Sequence, residues 1–272
     1  MSREHSQTFP VGSDTELSGV ARVQQEAKAL SHPFNQPGVP DSLYFTSQVV
    51  YPRADQYDVI VGEDTSGRLP ALVIAGVVNA RRSKLGLAPV AQRFVSGRCN
   101  EPQLPDGFLP EPTRTGAKAL IVTEYISMGT SIINTYDIVN RSSSFAAIDI
   151  ASLAVSSHGR KRVEGKIRQD DSVLLPATGN TNYILSALYG ENSGGTYKSK
   201  GVSKVAGPPF ANRLRSDWDP YRVARARADI KILVNSIVQA FEEEEANVVP
   251  STGADIVRWF VERAVMIKQS LV

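Results

Sequence analysis

Short apolar, β-branched runs alternate with helix-period patterns through the middle of the chain. Ala119, Leu120, Ile121 and Val122 form a run short enough to be a strand buried on both faces. A polar pair, Thr123 and Glu124, follows it, and then a loop of small and hydroxyl residues over 127–131. Apolar positions resume at Ile132, Ile133, Tyr136 and Val139, which predicts a helix. Upstream, Val59, Ile60 and Val61 predict another buried strand. A polar turn over 63–68 leads from it into a helix with Pro70 in its first turn and Leu72, Ala75, Val77 and Val78 on its apolar face. Residues 88–96 read as the next strand, with Arg93 near its C-terminal end. Between 97 and 116 periodicity is weak, and Pro102, Pro105, Pro110 and Pro112 preclude a long helix. A loop of about 20 residues inside a compact domain predicts a functional lid. Residues 145–155 give a further strand, and residues 172–175 a last one. Asp149 needs a partner within that apolar run, so a strand-end or outward position is expected for it.

The flanks are less regular. Residues 1–12 carry no periodic pattern, whereas Ser13 to Glu16 form a capping box before a helix predicted over 14–30. Residues 31–40 read as a linker or covering loop, and residues 43–51 have strand composition suited to a sheet edge. The charged stretch 156–171 reads as a connection. Residues 182–189 predict a short helix and 190–207 a mobile loop. Asp219-Pro220 opens a long helix with Val223, Ala226, Ile230, Leu233, Ile237 and Phe241 on one face. The acidic run 242–245 opposes the helix dipole, so that end is expected to fray. A last helix is predicted from about residue 252, carrying Trp259 and Phe260. The expected organisation is an extension over 1–42, a core over 43–180 and a loop-and-helix region over 181–272.

At 272 residues, 42% hydrophobic and 21% charged, the composition is that of a globular chain with a sizeable core. The net charge of +2 favours no polyanionic partner. A single cysteine, Cys99, excludes an intrachain disulfide or a thiolate metal cluster. His5, His32 and His158 lack zinc-site spacing. No apolar run reaches 18 residues and the first residues lack a signal-peptide pattern, so a cytoplasmic protein without a membrane partner is expected.

The strand, glycine-containing loop and helix start over 119–139 make an anion site, where free N–H groups converge at a positive helix end. An ordinary strand–turn–helix junction has the same outline. The stretch ALIVTEYISMGTSI nonetheless resembles the phosphoribosyl-pyrophosphate (PRPP) motif of type I phosphoribosyltransferases. That motif has four apolar strand residues, two acids, an apolar spacer and a Thr-Gly-Gly-Thr type loop. The resemblance implies that Glu124 holds the ribose hydroxyls and that Ser127, Met128, Gly129, Thr130 and Ser131 wrap the 5′-phosphate. Thr123 falls where the first acid is usual, and Met128 and Thr130 replace the usual Thr and Gly. Losing one charge-assisted hydrogen bond costs about 1.5–3 kcal/mol, so altered ribose contacts are expected. In the same comparison Glu63, Asp64, Thr65, Ser66, Gly67 and Arg68 form the pyrophosphate loop, Arg93 reaches the pyrophosphate as a catalytic residue, and 97–116 is the active-site loop.

The resemblance implies an α/β fold: an open, mainly parallel phosphoribosyltransferase type I-like sheet flanked by helices, with an N-terminal extension and a helical C-terminal region. It also implies an enzyme that transfers ribose 5-phosphate from PRPP to a nitrogenous base, with Mg2+ as cofactor, Glu124 as a metal ligand and a homodimer as the expected assembly. A non-catalytic PRPP- or nucleotide-sensing regulator on the same fold is the alternative. Nucleic acid is not the expected partner: the basic segment 198–231 lacks any helix-turn-helix or RNA-recognition pattern and reads as a solvated face.

Overall fold

The computed structural model describes residues 18–30, 34–35, 38–63, 67–95, 104–175 and 220–247. Five parallel strands form one sheet: β1 (Tyr57–Glu63), β2 (Ala91–Val95), β3 (Lys118–Ile126), β4 (Ala147–Val155) and β5 (Val173–Leu174), in the order β2-β1-β3-β4-β5. Among the described residues six α-helices surround it: α1 (Gly19–Ala27), α2 (Val39–Val50), α3 (Arg68–Lys84), α4 (Thr130–Arg141), α5 (Ser157–Glu164) and α6 (Pro220–Asn247). The architecture is α/β, a parallel sheet flanked by helices with helical segments from both ends of the chain. Among the described residues no helix is long and apolar enough to cross a membrane.

Strand alternation divides the core in two. Ile60, Leu120, Val122 and Ala151 meet Ala71, Ile74 and Val78 of α3 on one side of the sheet. Val59, Val61, Ile121 and Ile150 meet Ile132, Tyr136 and Val139 of α4, together with Val163 of α5, on the other. Both faces of the central strands are therefore dry, which explains their unbroken apolar runs. Helices α1, α2 and α6 form an outer layer over α3, through Val23, Leu43, Val77, Leu233 and Ile237. Buried residues thus occur on two sides of α3, while Leu72, expected on its apolar face, is only partly buried.

Four expectations are corrected. Residues 43–51 are not an edge strand; all but the last belong to α2, whose buried Leu43, Thr46, Ser47 and Val50 repeat at helical spacing. Asp149 does not point outward. It is fully buried, accepts a hydrogen bond from Tyr57 Oη at 2.8 Å, and has Lys118 Nζ at 3.5 Å. The acidic end of α6 remains helical through Asn247, because neighbouring helices answer each charge. Glu242 pairs with Lys84 at 2.6 Å and Glu245 with Arg81 at 3.2 Å, both from the last turn of α3. Glu243 pairs with Arg22 of α1, and Glu244 accepts from Tyr44 Oη of α2. Exposed pairs contribute only about 0.2–1 kcal/mol each, but three of them with the tyrosine hydrogen bond outweigh an unfavourable dipole term of similar size.

The fourth correction concerns the stretch read as a lid. Its described part, residues 104–116, is the crossover from β2 back to the start of β3, on the α4 side of the sheet. The Thr113 amide and hydroxyl both donate to Asp58 Oδ2 at 2.7 Å, at the start of β1. The Leu104 amide donates to Ser142 Oγ at 3.0 Å, and Leu109 is buried in the core. A segment tied at both ends and seated by an apolar anchor is a fixed covering layer. Residues 96–103, including Arg98, lie outside the described residues.

Candidate functional site

The chain leaves β1 toward α3 on one face and leaves β3 toward α4 on the other. Because β1 and β3 are neighbours, their C-terminal ends flank a topological switch point, the place where ligands enter open parallel sheets. The two junctions are in direct contact. Thr123 Oγ1 donates to Glu63 Oε2 at 2.6 Å, and Ser131 Oγ in the first turn of α4 donates to Glu63 Oε1. Glu63, expected in a polar turn, is instead the last residue of β1 and is 6% exposed. Gly67 N donates to Glu63 O at 2.7 Å, and an added Cβ on Gly67 would lie 2.0 Å from Val122 O. Gly67, the last residue of the turn after β1, therefore lies flat against β3.

The loop after β3 has a definite polarity. Strand β3 runs four residues past Val122, so Thr123 and Glu124 lie inside it and the loop begins at Ser127. Ser156 N donates to Ile126 O at 2.9 Å, Ser156 Oγ to Ser127 O at 2.5 Å, and Arg162 Nη1 to Met128 O at 3.1 Å. Three consecutive carbonyls are thus turned toward α5. In a planar trans peptide the next N–H points the opposite way, so the amides of Ser127, Met128 and Gly129 face away from α5. Gly129 sits at φ 75°, where L side chains are strained, and is the N-cap of α4, which receives no side-chain cap. Ser127, Met128 and Thr130 are exposed and Ser131 is half-buried. Amides turned to one side and leading into a helix N-terminus without a side-chain cap are a geometry with the donors that an anion requires.

The two carboxyl groups differ in setting. Alternation along β3 sends Thr123 and Glu124 to opposite sides. Thr123 is fully buried beside Glu63, whereas Glu124 is 2% exposed and its Oε1 has no hydrogen-bond partner. Burial, followed by repulsion from Glu63, raises the Glu124 pKa well above the usual carboxylate range. The protonated form of Glu124 is thus favoured relative to an exposed carboxyl, and in that form it can donate a hydrogen bond as well as accept one.

Arg68 opens α3 with its guanidinium 4.8 Å above the Phe94 ring, at the edge of the switch point. Asp64, Thr65 and Ser66 lie outside the described residues. Arg93 is directed to the crossover: its Nε donates to Phe108 O at 2.5 Å and its Nη1 to Gln92 O at 2.8 Å. The structure thus brings Glu63, Gly67, Thr123 and residues 127–131 together, and gives Arg93 partners in the crossover. Sequence reasoning missed Ser156, Gly159 and Arg162, which it placed in a connection. Ser156 caps α5 by accepting from Gly159 N at 2.9 Å, a legible local signal. Its contact with a loop 29 residues away is not local.

No protein-family model and no curated protein matches the chain. Among solved structures it is similar to an adenine phosphoribosyltransferase at 16% identity and a TM-score of 0.35, covering 57% of this chain and 99% of that one. It is also similar to the orotate phosphoribosyltransferase from Aeropyrum pernix, at 14% identity and a TM-score of 0.31, covering 49% of this chain and 70% of that one.

Proposed function

We propose that the chain binds PRPP at the switch point between β1 and β3 and transfers its ribose 5-phosphate to a nitrogenous base, releasing pyrophosphate. The observation that carries this reading is the nest of outward amides at Ser127, Met128 and Gly129, locked to the β1 junction through Glu63. In this reading residues 127–131 take the 5′-phosphate, the carboxyl groups of Glu63 and Glu124 lie at the ribose, and Gly67 and Arg68 lie toward the pyrophosphate. Transfer through a cationic sugar needs positioning and charge stabilisation more than a nucleophile. Mg2+ fits the donor set in one way. Among the described residues no group of three or more metal-ligating side chains occurs, so the ion would rest on one or two carboxylates and mainly on phosphate oxygens. Bound there, it would neutralise charge on the leaving pyrophosphate.

A second reading, PRPP binding without turnover, is favoured by one observation: Thr123 stands where the resemblance expects an acid and donates a hydrogen bond to Glu63, while burial disfavours the charged form of Glu124. Calorimetry with Mg-PRPP tests the site, and pyrophosphate release across a panel of bases separates enzyme from sensor. Gly129→Val and Glu124→Ala are each expected to weaken PRPP binding by about 10- to 100-fold, the worth of one or two charge-assisted hydrogen bonds. Wild-type affinity in both variants refutes the site. Tight binding with no pyrophosphate released on any base establishes the sensor.

A further inference from the structure

We infer that Arg162 is a positioning residue of this anion loop, serving the phosphate monoester of the ligand; the inference rests on the reading of residues 127–131 as a phosphoribosyl site. Helix α5 is seated without it. Gly159 lies so close to the loop that an added Cβ would be 2.3 Å from Ser127 O, Val163 is buried in the core, and Ser156 makes two hydrogen bonds to the loop backbone. Arg162 is exposed, and among the described residues its side chain donates from Nη1 to Met128 O. It holds the Met128–Gly129 peptide, which lies beside a residue with no Cβ in the left-handed region, where rotation is least hindered. If that peptide turned over, the Gly129 N–H would leave the nest and the Met128 carbonyl would enter it, exchanging a donor for an acceptor facing the phosphate. Arg162 also sets the electrostatics. Glu63 brings a carboxylate to the first turn of α4, where it repels an incoming dianion, and the guanidinium places a cation against the loop on the α5 side. A guanidinium has five N–H donors, of which the carbonyl uses one. Phosphate is the anion that such a planar donor set fits best. Neighbouring Arg160 is engaged differently, by Glu164 at 2.7 Å.

Calorimetric titration of the full chain with Mg-PRPP, and separately with inorganic phosphate, tests this in wild type, Arg162→Met, Arg162→Lys and Arg160→Met. Arg162→Met is expected to weaken both ligands by about 10- to 50-fold. Arg162→Lys should restore only part of the loss, because it returns the charge but not the fork, and Arg160→Met should bind like wild type. The gap between wild type and Arg162→Met should narrow as salt is raised to about 0.5 M, since an exposed charge is screened over a few ångströms there. A purely structural role would give a salt-independent gap and a lowered urea midpoint. Either that pattern, or Arg162→Met binding as tightly as wild type, overturns the inference while leaving the site reading intact. Wild type that binds phosphate but not PRPP overturns the site reading alone, the variants then being judged on phosphate. Wild type that binds neither overturns both.

Discussion

Gly67→Ala is expected to destabilise the fold by about 3 kcal/mol, near the upper end for overpacking, and to lower PRPP binding with it. The reason is distance and not backbone conformation. Gly67 lies at φ −86°, which alanine adopts freely. An added methyl, however, would stand 2.0 Å from Val122 O and 2.6 Å from Glu63 N. Both are backbone atoms of adjacent central strands, so neither can swing aside as a flexible side chain would. Relief requires lifting the turn, which stretches the Gly67 N to Glu63 O bond of 2.7 Å and displaces the start of α3. Gly86→Ala supplies the contrast. Gly86 has φ 69° with no atom within 4 Å of its added Cβ, so only the left-handed conformation opposes the change, at about 1–2 kcal/mol. Urea midpoints of both variants decide the matter. A Gly67→Ala midpoint equal to wild type would mean that the turn does not lie flat on β3.

Contact between the two junctions follows from strand order. With β1 beside β3, the turn after one strand and the loop after the other cannot avoid each other at the C-terminal edge. Glu63 turns this adjacency into a fixed geometry by accepting from both Thr123 and Ser131. Thr123 thus sits against a carboxylate supplied from the neighbouring strand.

The cores of β1, β3 and β4 were legible because burial on both faces leaves a continuous apolar run that no exposed helix would show. The glycine-led start of α4 was legible for a local reason too, since its apolar positions resume directly after the loop. Helix α2 was misread because buried hydroxyls at Thr46 and Ser47 occupy core-facing positions and mask its period. The overlooked signal was Pro40 with Asp41 in the first turn. The partners of Glu63 were not legible at all. They lie 60 and 68 residues away, and the turn chemistry around Glu63 suggests a solvated loop. The acidic end of α6 failed for the same reason, because the charges that hold it come from α1 and α3 and a further hydroxyl donor from α2.

Glu124→Gln is expected to change the pH dependence of stability more than stability itself. Burial and the neighbouring Glu63 charge keep the Glu124 carboxyl protonated in the folded protein well above its ordinary value of 4.5. In the unfolded chain it ionises near that value, so between the two the folded state binds more protons than the unfolded state. Unfolding then releases a proton, and stability falls as pH rises through this window, by up to about 1.4 kcal/mol per pH unit. Glutamine has no proton to lose and removes that slope. Below pH 4.5 both versions are neutral in either state. There the variant should be equal to wild type or weaker by about 1 kcal/mol, because a buried amide also needs partners. Above it, the variant should overtake wild type, with the advantage growing until Glu124 ionises in the folded protein as well. Urea midpoints at one-unit steps from pH 4 to about pH 8 measure the difference directly. A constant offset across that range would show that Glu124 ionises alike in both states, against the upward shift that its burial implies.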